Sequence, residues 1–221
     1  MTHRRLEIPA NRLERWVDGF RERHGDVGCS RTDGDVRLDA ADGAIAVLAV
    51  SEVLGGPAER EVPGLEFGPT QAARALAAAV LAPRVSAVLL VRRGGWAVAV
   101  VEPDGVRASK VGTRYVQGRT AAGGWSQQRF ARRRDKQTDE LVGAAAQAAE
   151  RVLLPALPVD RLVTGGDRPL VDRVLERPPL RLLAALPRGA HLQVGDPRAA
   201  TVAELPDLLT RVPVLLDQPD P

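Results

Sequence analysis

The sequence predicts an α/β fold in two parts, and three observations carry that prediction. Apolar runs of strand length alternate with segments of helical periodicity along the chain. Three such runs follow one another between Val85 and Val111 with only glycine-containing turns between them. A proline- and glycine-rich stretch over 51–69 separates a smaller first part from the rest.

In the first part, Leu13, Trp16, Val17 and Phe20 share one face of a helix expected over 11–24, and Gly25 stops it. Short strands are expected over 36–40 and 44–50, around the hairpin signal Ala41-Asp42-Gly43. Thr70 is placed to cap an alanine-rich helix that runs to Leu81 and ends before Pro83. In the second part, strands over 85–91, 96–101 and 106–111 should form an antiparallel meander. Its turns are Arg92-Arg93-Gly94-Gly95 and Pro103-Asp104-Gly105. A glycine-rich basic loop over 112–124 leads into a long helix over 126–153, closed by Pro155 and Pro158. A strand over 161–164, a turn at Gly165-Gly166 and a helix over 169–175 with proline in its first turn come next. A further strand is expected over 180–185 and a last helix over 200–211. Three strands, a long helix, then strand, helix, strand and helix give a ribonuclease H-like mixed sheet with flanking helices over 83–221. A small α/β domain over 1–82 precedes it.

Composition narrows the function classes. Hydrophobic residues at 44% and charged ones at 27% describe a globular chain with enough apolar surface for a core. The single cysteine, Cys29, excludes an internal disulfide framework and a cysteine-rich zinc site, and fits a reducing compartment. His3, His24 and His191 are scattered without ligand spacing, so no metal or other cofactor is expected. No apolar run approaches the ~20 residues that span a bilayer, and the N-terminus lacks the apolar stretch of a signal peptide. A cytoplasmic, monomeric protein without membrane contact is the expectation.

The net charge of +3 is unevenly placed. Arg114, Arg119, Arg129, Arg132, Arg133, Arg134 and Lys136 fall in one segment whose sole acid is Asp135, so that segment alone carries +6. A local basic block on a mildly acidic body suggests a polyanion contact confined to one place, and these seven residues are the candidate polyanion-binding set. Gly123 and Gly124 let the backbone approach a partner closely, and helix N-terminal amides favour an anion. Arg129, Arg132, Arg133 and Lys136 have the spacing of one helical stripe. Trp125 reads either as a core aromatic or as an exposed residue that stacks on a base. Glu102 and Asp104 are turn residues rather than a nuclease's metal carboxylates, and Ser30, Ser86 and Ser109 lack a nucleophile-elbow context.

The run Gly123-Gly124-Trp125-Ser126-Gln127-Gln128-Arg129-Phe130-Ala131-Arg132-Arg133-Arg134 resembles a known loop and helix. It is similar to the catalytic loop of the middle domain of archaeal and eukaryotic class I peptide release factors. It is closer still to the release-factor-like peptidyl-tRNA hydrolase group (the VLRF group), which acts in rescue of stalled large ribosomal subunits and has bacterial members. The resemblance runs from about Val85 to the C-terminal helix and includes Leu162-Val163-Thr164-Gly165-Gly166. Trp125 stands where an ungapped Gly-Gly-Gln match would put the glutamine. The Gly-x-x-Gln arrangement of the VLRF group is met by Gly124-Trp125-Ser126-Gln127. The resemblance thus implies Gln127 as the catalytic residue, with Gln128 as the alternative. Gly123, Gly124, Trp125 and Ser126 would form the loop that approaches the peptidyl-tRNA ester. Implied partners are the large ribosomal subunit, its ribosomal RNA and peptidyl-tRNA. The implied function is release of nascent chains in ribosome quality control. A non-catalytic ribosome- or RNA-binding protein that keeps the fold and the basic helix is the second reading.

Overall fold

In a computed structural model, residues 2–54, 64–113 and 126–218 are described, the side chains of Thr2 and of 126–134 excepted. In chain order the elements are β1 (Thr2–Pro9), α1 (Leu13–His24), β2 (Val27–Thr32), β3 (Asp35–Ala40), β4 (Ile45–Leu48), α2 (Val50–Leu54) and α3 (Pro69–Leu81). They continue with β5 (Ser86–Arg92), β6 (Gly95–Glu102), β7 (Gly105–Thr113), α4 (Ser126–Val152), β8 (Arg161–Gly166), α5 (Arg168–Leu175) and α6 (Arg181–Ala184). β9 (Arg188–Leu192), α7 (Ala199–Ala203), α8 (Leu205–Leu208) and β10 (Arg211–Gln218) complete the chain. It divides into two compact units, Met1–Pro83 with Arg188–Ala190 and Asp207–Pro221, and Arg84–Pro187 with His191–Pro206.

The N-terminal unit is an antiparallel sheet in the order β1-β10-β4-β3-β2. Its core joins Leu13, Val17 and Phe20 of α1 with Leu76 and Val80 of α3 and the inward residues Val36, Leu38, Leu48, Val212 and Val214 of the strands. Gly25, at φ +80°, stops α1 in a conformation that costs glycine little. Cys29 on β2 is half-buried, and burial pushes its thiol up to about 11. Iodoacetamide at neutral pH is therefore expected to modify native Cys29 at least tenfold more slowly than the urea-unfolded chain, as read by mass shift.

Three expectations are corrected here. Thr70 does not cap α3: Gly68 precedes the helix, Pro69 opens it, and the Thr70 hydroxyl donates to Asp18 instead, at 2.7 Å. The segment 200–211 is not one helix, because Pro206 splits it into α7 and α8 before β10 begins. β10 itself, expected within the second domain, pairs between β1 and β4 of the first sheet. Pro213 disguises it, since proline rarely sits in a central strand. Here the β4 ladder starts one residue later, at Val214, and the Pro213 carbonyl accepts from Ala49 at 2.8 Å.

The second unit holds a mixed sheet in the order β7-β6-β5-β8-β9. β5, β6 and β7 form the antiparallel meander, and β8 runs parallel to β5 on its other side. β5 and β6 are buried along almost their whole length, as sheet centres covered on both faces should be. Leu141, Ala145 and Ala149 of α4 and Leu170, Val171 and Val174 of α5 meet Ala87, Leu89, Val98 and Val100 in one core. The segment 180–185, expected as a strand, is helical: Leu180 and Leu183 are buried at a spacing of three while Leu182 is 65% exposed. Pro178-Pro179 begins that turn with φ already near the helical value.

Close approaches fix this sheet at several glycines, most tightly at Gly112 and Gly166. Gly112 of β7 lies opposite Trp96 of β6, and a Cβ on it would stand 2.4 Å from the indole. Gly166 ends β8 at φ +87°, where a Cβ would stand 2.3 Å from the Val91 carbonyl oxygen. At the opposite end of the same strand pair, buried Arg161 donates to the Ser86 hydroxyl at 2.9 Å. Burial, with the neighbouring Arg84 guanidinium, pushes Arg161 down to about 10, so it stays charged at neutral pH.

Candidate functional site

β7 and α4 frame the segment that carries the candidate chemistry. Gly123, Gly124, Trp125, Arg114 and Arg119 lie outside the described residues. Ser126, Gln127, Gln128, Arg129, Arg132, Arg133 and Arg134 belong to the first turns of α4, and Lys136 is exposed on the same helix. The helix continues unbroken to Val152, and its second half is anchored in the core. A rigid, 27-residue helix with a buried rear half thus supports the glutamines and the basic run at its front.

Where α4 passes the carboxyl ends of β5 and β8, a cleft of about 820 Å³ opens. In mixed and parallel sheets this end is the usual place for a ligand. Asp135 and Thr138 of α4 line it, with Arg92 at the end of β5, Arg93 in the turn after it, Arg168 and Arg173 from α5, and His191 and Asp196 from the chain after β9 begins. The Arg92 guanidinium donates to the Val194 carbonyl at 3.0 Å and lies 3.9 Å from Asp167. Arg173 is held by Asp139 of α4. Arg93 and Arg168 are exposed, and among the described residues neither has a carboxylate within ion-pair distance. They leave two cations free for an anion.

His191 is fixed by both ring nitrogens. Nε2 lies 3.0 Å from the Gly166 carbonyl oxygen, which can only accept, so Nε2 carries the proton and Nδ1 accepts from the Thr164 hydroxyl at 2.9 Å. The pair is a clamp between β8 and β9 rather than a nucleophile and base, because Thr164 is buried. Glu102 accepts from Arg107 at 2.6 Å across the β6–β7 turn, a hairpin ion pair. Among the described residues no group of three or more His, Cys, Asp or Glu side chains is placed to hold a metal ion. No described helix is long and apolar enough to cross a membrane.

Sequence alone does not single out the cleft arginines or His191. Arg92-Arg93 reads only as a turn, and His191 only as an isolated histidine. The one signal they give is their position at strand ends, which becomes meaningful once β5 and β8 are seen to lie side by side.

A profile of the Actinobacteria/chloroflexi VLRF1 release factors matches residues 84–214, more than half of the chain. The chain belongs to that family. The match to the VLRF1 release factors spans the whole meander, the loop, α4, β8 and the cleft, and ends within β10. No curated protein matches the chain. Among solved structures, the Vms1 mitochondrial localization core is similar at a TM-score of 0.42 and 10% identity, over 96% of this chain and 82% of that one.

Proposed function

We propose that this VLRF1 family member is a peptidyl-tRNA hydrolase that frees nascent chains from peptidyl-tRNA on stalled large ribosomal subunits in the cytoplasm. The observation that carries the reading is the Gly124-x-x-Gln127 sequence immediately ahead of and within α4, inside the family-matched stretch. The substrate is an ester between the nascent chain and the terminal adenosine of the tRNA. Its hydrolysis needs a water held in line with the carbonyl and hydrogen-bond donors for the developing oxyanion. A side-chain amide is no general base near neutral pH, so Gln127 acts by orienting that water and donating its N–H, with Gln128 the alternative. Gly123 and Gly124 add no side-chain bulk, and the proton lost by the attacking water is made up at the departing ribose oxygen, directly or through solvent. The ribonuclease H-like arrangement is part of the same reading, and the 3-2-1-4-5 order of β5 to β9, with β8 parallel to β5, supports it.

Arg114, Arg119, Arg129, Arg132, Arg133, Arg134 and Lys136 would neutralise phosphates of ribosomal RNA or tRNA. Removing one such arginine–phosphate pairing should lower the slope of log affinity against log salt by about 0.7–0.9. The variant Arg132→Ala/Arg133→Ala is accordingly expected to bind large subunits with a slope lower by about 1.5, as measured by co-sedimentation over a potassium chloride series. The function itself is tested by adding the protein to isolated large subunits carrying labelled peptidyl-tRNA. Free peptide and intact tRNA are the expected products. Binding without release would leave a non-catalytic RNA-binding protein, and cut RNA would indicate a nuclease.

A further inference from the structure

The N-terminal unit contains a second cleft, of about 600 Å³, along the outward side of α1. Arg12, Arg15, Trp16, Gly19 and Arg23 line it beside the end of β1, and no carboxylate does. Arg15, Trp16, Gly19 and Arg23, at spacings of three and four, share one face of α1, and Arg12 immediately precedes the helix. The three arginines are exposed, and among the described residues none has a carboxylate within ion-pair distance. Trp16 lies half-buried against the buried ring of Phe20, with centroids 5.7 Å apart and planes at 17°, so the core holds the indole flat while it still lines the cleft. Gly19 keeps the middle of the face bare: a Cβ there would stand 3.3 Å from the Arg23 guanidinium, which lies across it.

Three uncompensated guanidiniums around a rigid aromatic plane suit a ligand that offers both phosphates and flat bases. An acidic peptide would answer the charges but leave the indole without a partner; a nucleotide strand answers both. We propose that this cleft binds single-stranded nucleic acid, with phosphates on Arg12, Arg15 and Arg23 and one base stacked on Trp16. In a release-factor family the strand is RNA. The N-terminal unit is then a second RNA-binding module, whether or not Gln127 hydrolyses an ester.

The test is fluorescence anisotropy with the full chain and a labelled twelve-nucleotide oligouridine over a potassium chloride series. Arg12→Glu/Arg15→Glu/Arg23→Glu is expected to weaken binding at least tenfold and to lower the salt slope by about 2, from three phosphate pairings at about 0.7 each. Trp16→Leu should weaken binding about five- to tenfold without altering the slope, and Trp16→Phe should restore most of it. The charge-matched variant Arg151→Glu/Arg177→Glu/Arg181→Glu, on exposed arginines elsewhere, should lose less than threefold. The proposal is overturned if the α1 triple variant binds with wild-type affinity and slope, or if the control loses as much. It is also overturned if polyglutamate competes as well as RNA while Trp16→Leu has no effect, which would mark an acidic protein partner. Much tighter binding of oligodeoxythymidine would overturn RNA as the source. Circular dichroism reports folding of each variant, and a chain that binds oligouridine in this way yet releases no peptide refutes only the catalytic reading.

Discussion

Gln127→Ala is expected to lower peptidyl-tRNA release from large subunits by about 10²–10³-fold, the loss typical of removing one preorganised donor from an oxyanion-stabilising site. Subunit binding should be unchanged, because the arginines proposed to meet phosphate remain. The measurement is single-turnover release at saturating subunits beside co-sedimentation affinity, which separates a slowed chemical step from weakened binding. Gln127 and Gln128 occupy successive positions of the first turn of α4, about 100° apart around its axis, so under the proposed function one of them, not both, would face the ester. Gln128→Ala should therefore cost less than threefold. If the two effects are exchanged, Gln128 is the working residue; if neither variant loses activity, a glutamine does not orient the water. Since the amide does not titrate near neutrality, the Gln127→Ala loss should be the same at pH 6.5 and pH 8.

Gly166→Ala is expected to destabilise the second unit by about 3–5 kcal/mol. A φ of +87° costs a residue with a Cβ about 1–2 kcal/mol. The added atom would also sit 2.3 Å from the Val91 carbonyl oxygen, a backbone atom that can retreat only if β5 and β8 part. That carbonyl accepts from Asp167 at 2.7 Å, so the bond that seats the start of α5 is strained at the same time. A fall in melting temperature on the order of 10 °C by calorimetry is the expected readout. Gly25→Ala, with nothing within 4 Å of its Cβ at φ +80°, should show the conformational cost alone. If the two variants lose equal stability, the clash with Val91 is not the cause.

Elements that bury one strong period are legible in the sequence. α1, the meander of β5 to β7, α4, β8 and α5 follow from apolar spacing and from glycine and proline punctuation. β1, β2 and β9 do not: in β1 and β2 only Leu6, Ile8, Val27 and Cys29 pack inward, among arginine, glutamate, serine and histidine that read as loop, and β9 is the short run Arg188-Gly189-Ala190-His191-Leu192. β10 is hidden by Pro213, and 180–185 is ambiguous because Leu180-Arg181-Leu182-Leu183 fits a period of two or three until packing chooses. The start of α4 is legible from the two glycines and the glutamine- and arginine-rich run that follows them. The two clefts are not. Arg93 and Arg168 are 75 positions apart in sequence, and only the parallel pairing of β5 with β8 puts both on one cleft.

The place of β10 also sets a timetable for synthesis. β5 to β9 are contiguous, so the second sheet can close while the ribosome is still translating the end of the chain. The first sheet cannot, because β1 and β4 flank a strand made of residues 211–218. At about 5–20 residues per second, Leu48 waits roughly 10–30 s for its partner Val214 to be made. The domain that emerges first is finished last. Until then two strands offer open edges to any neighbouring chain, and a translational pause before residues 211–218 would prolong that exposure.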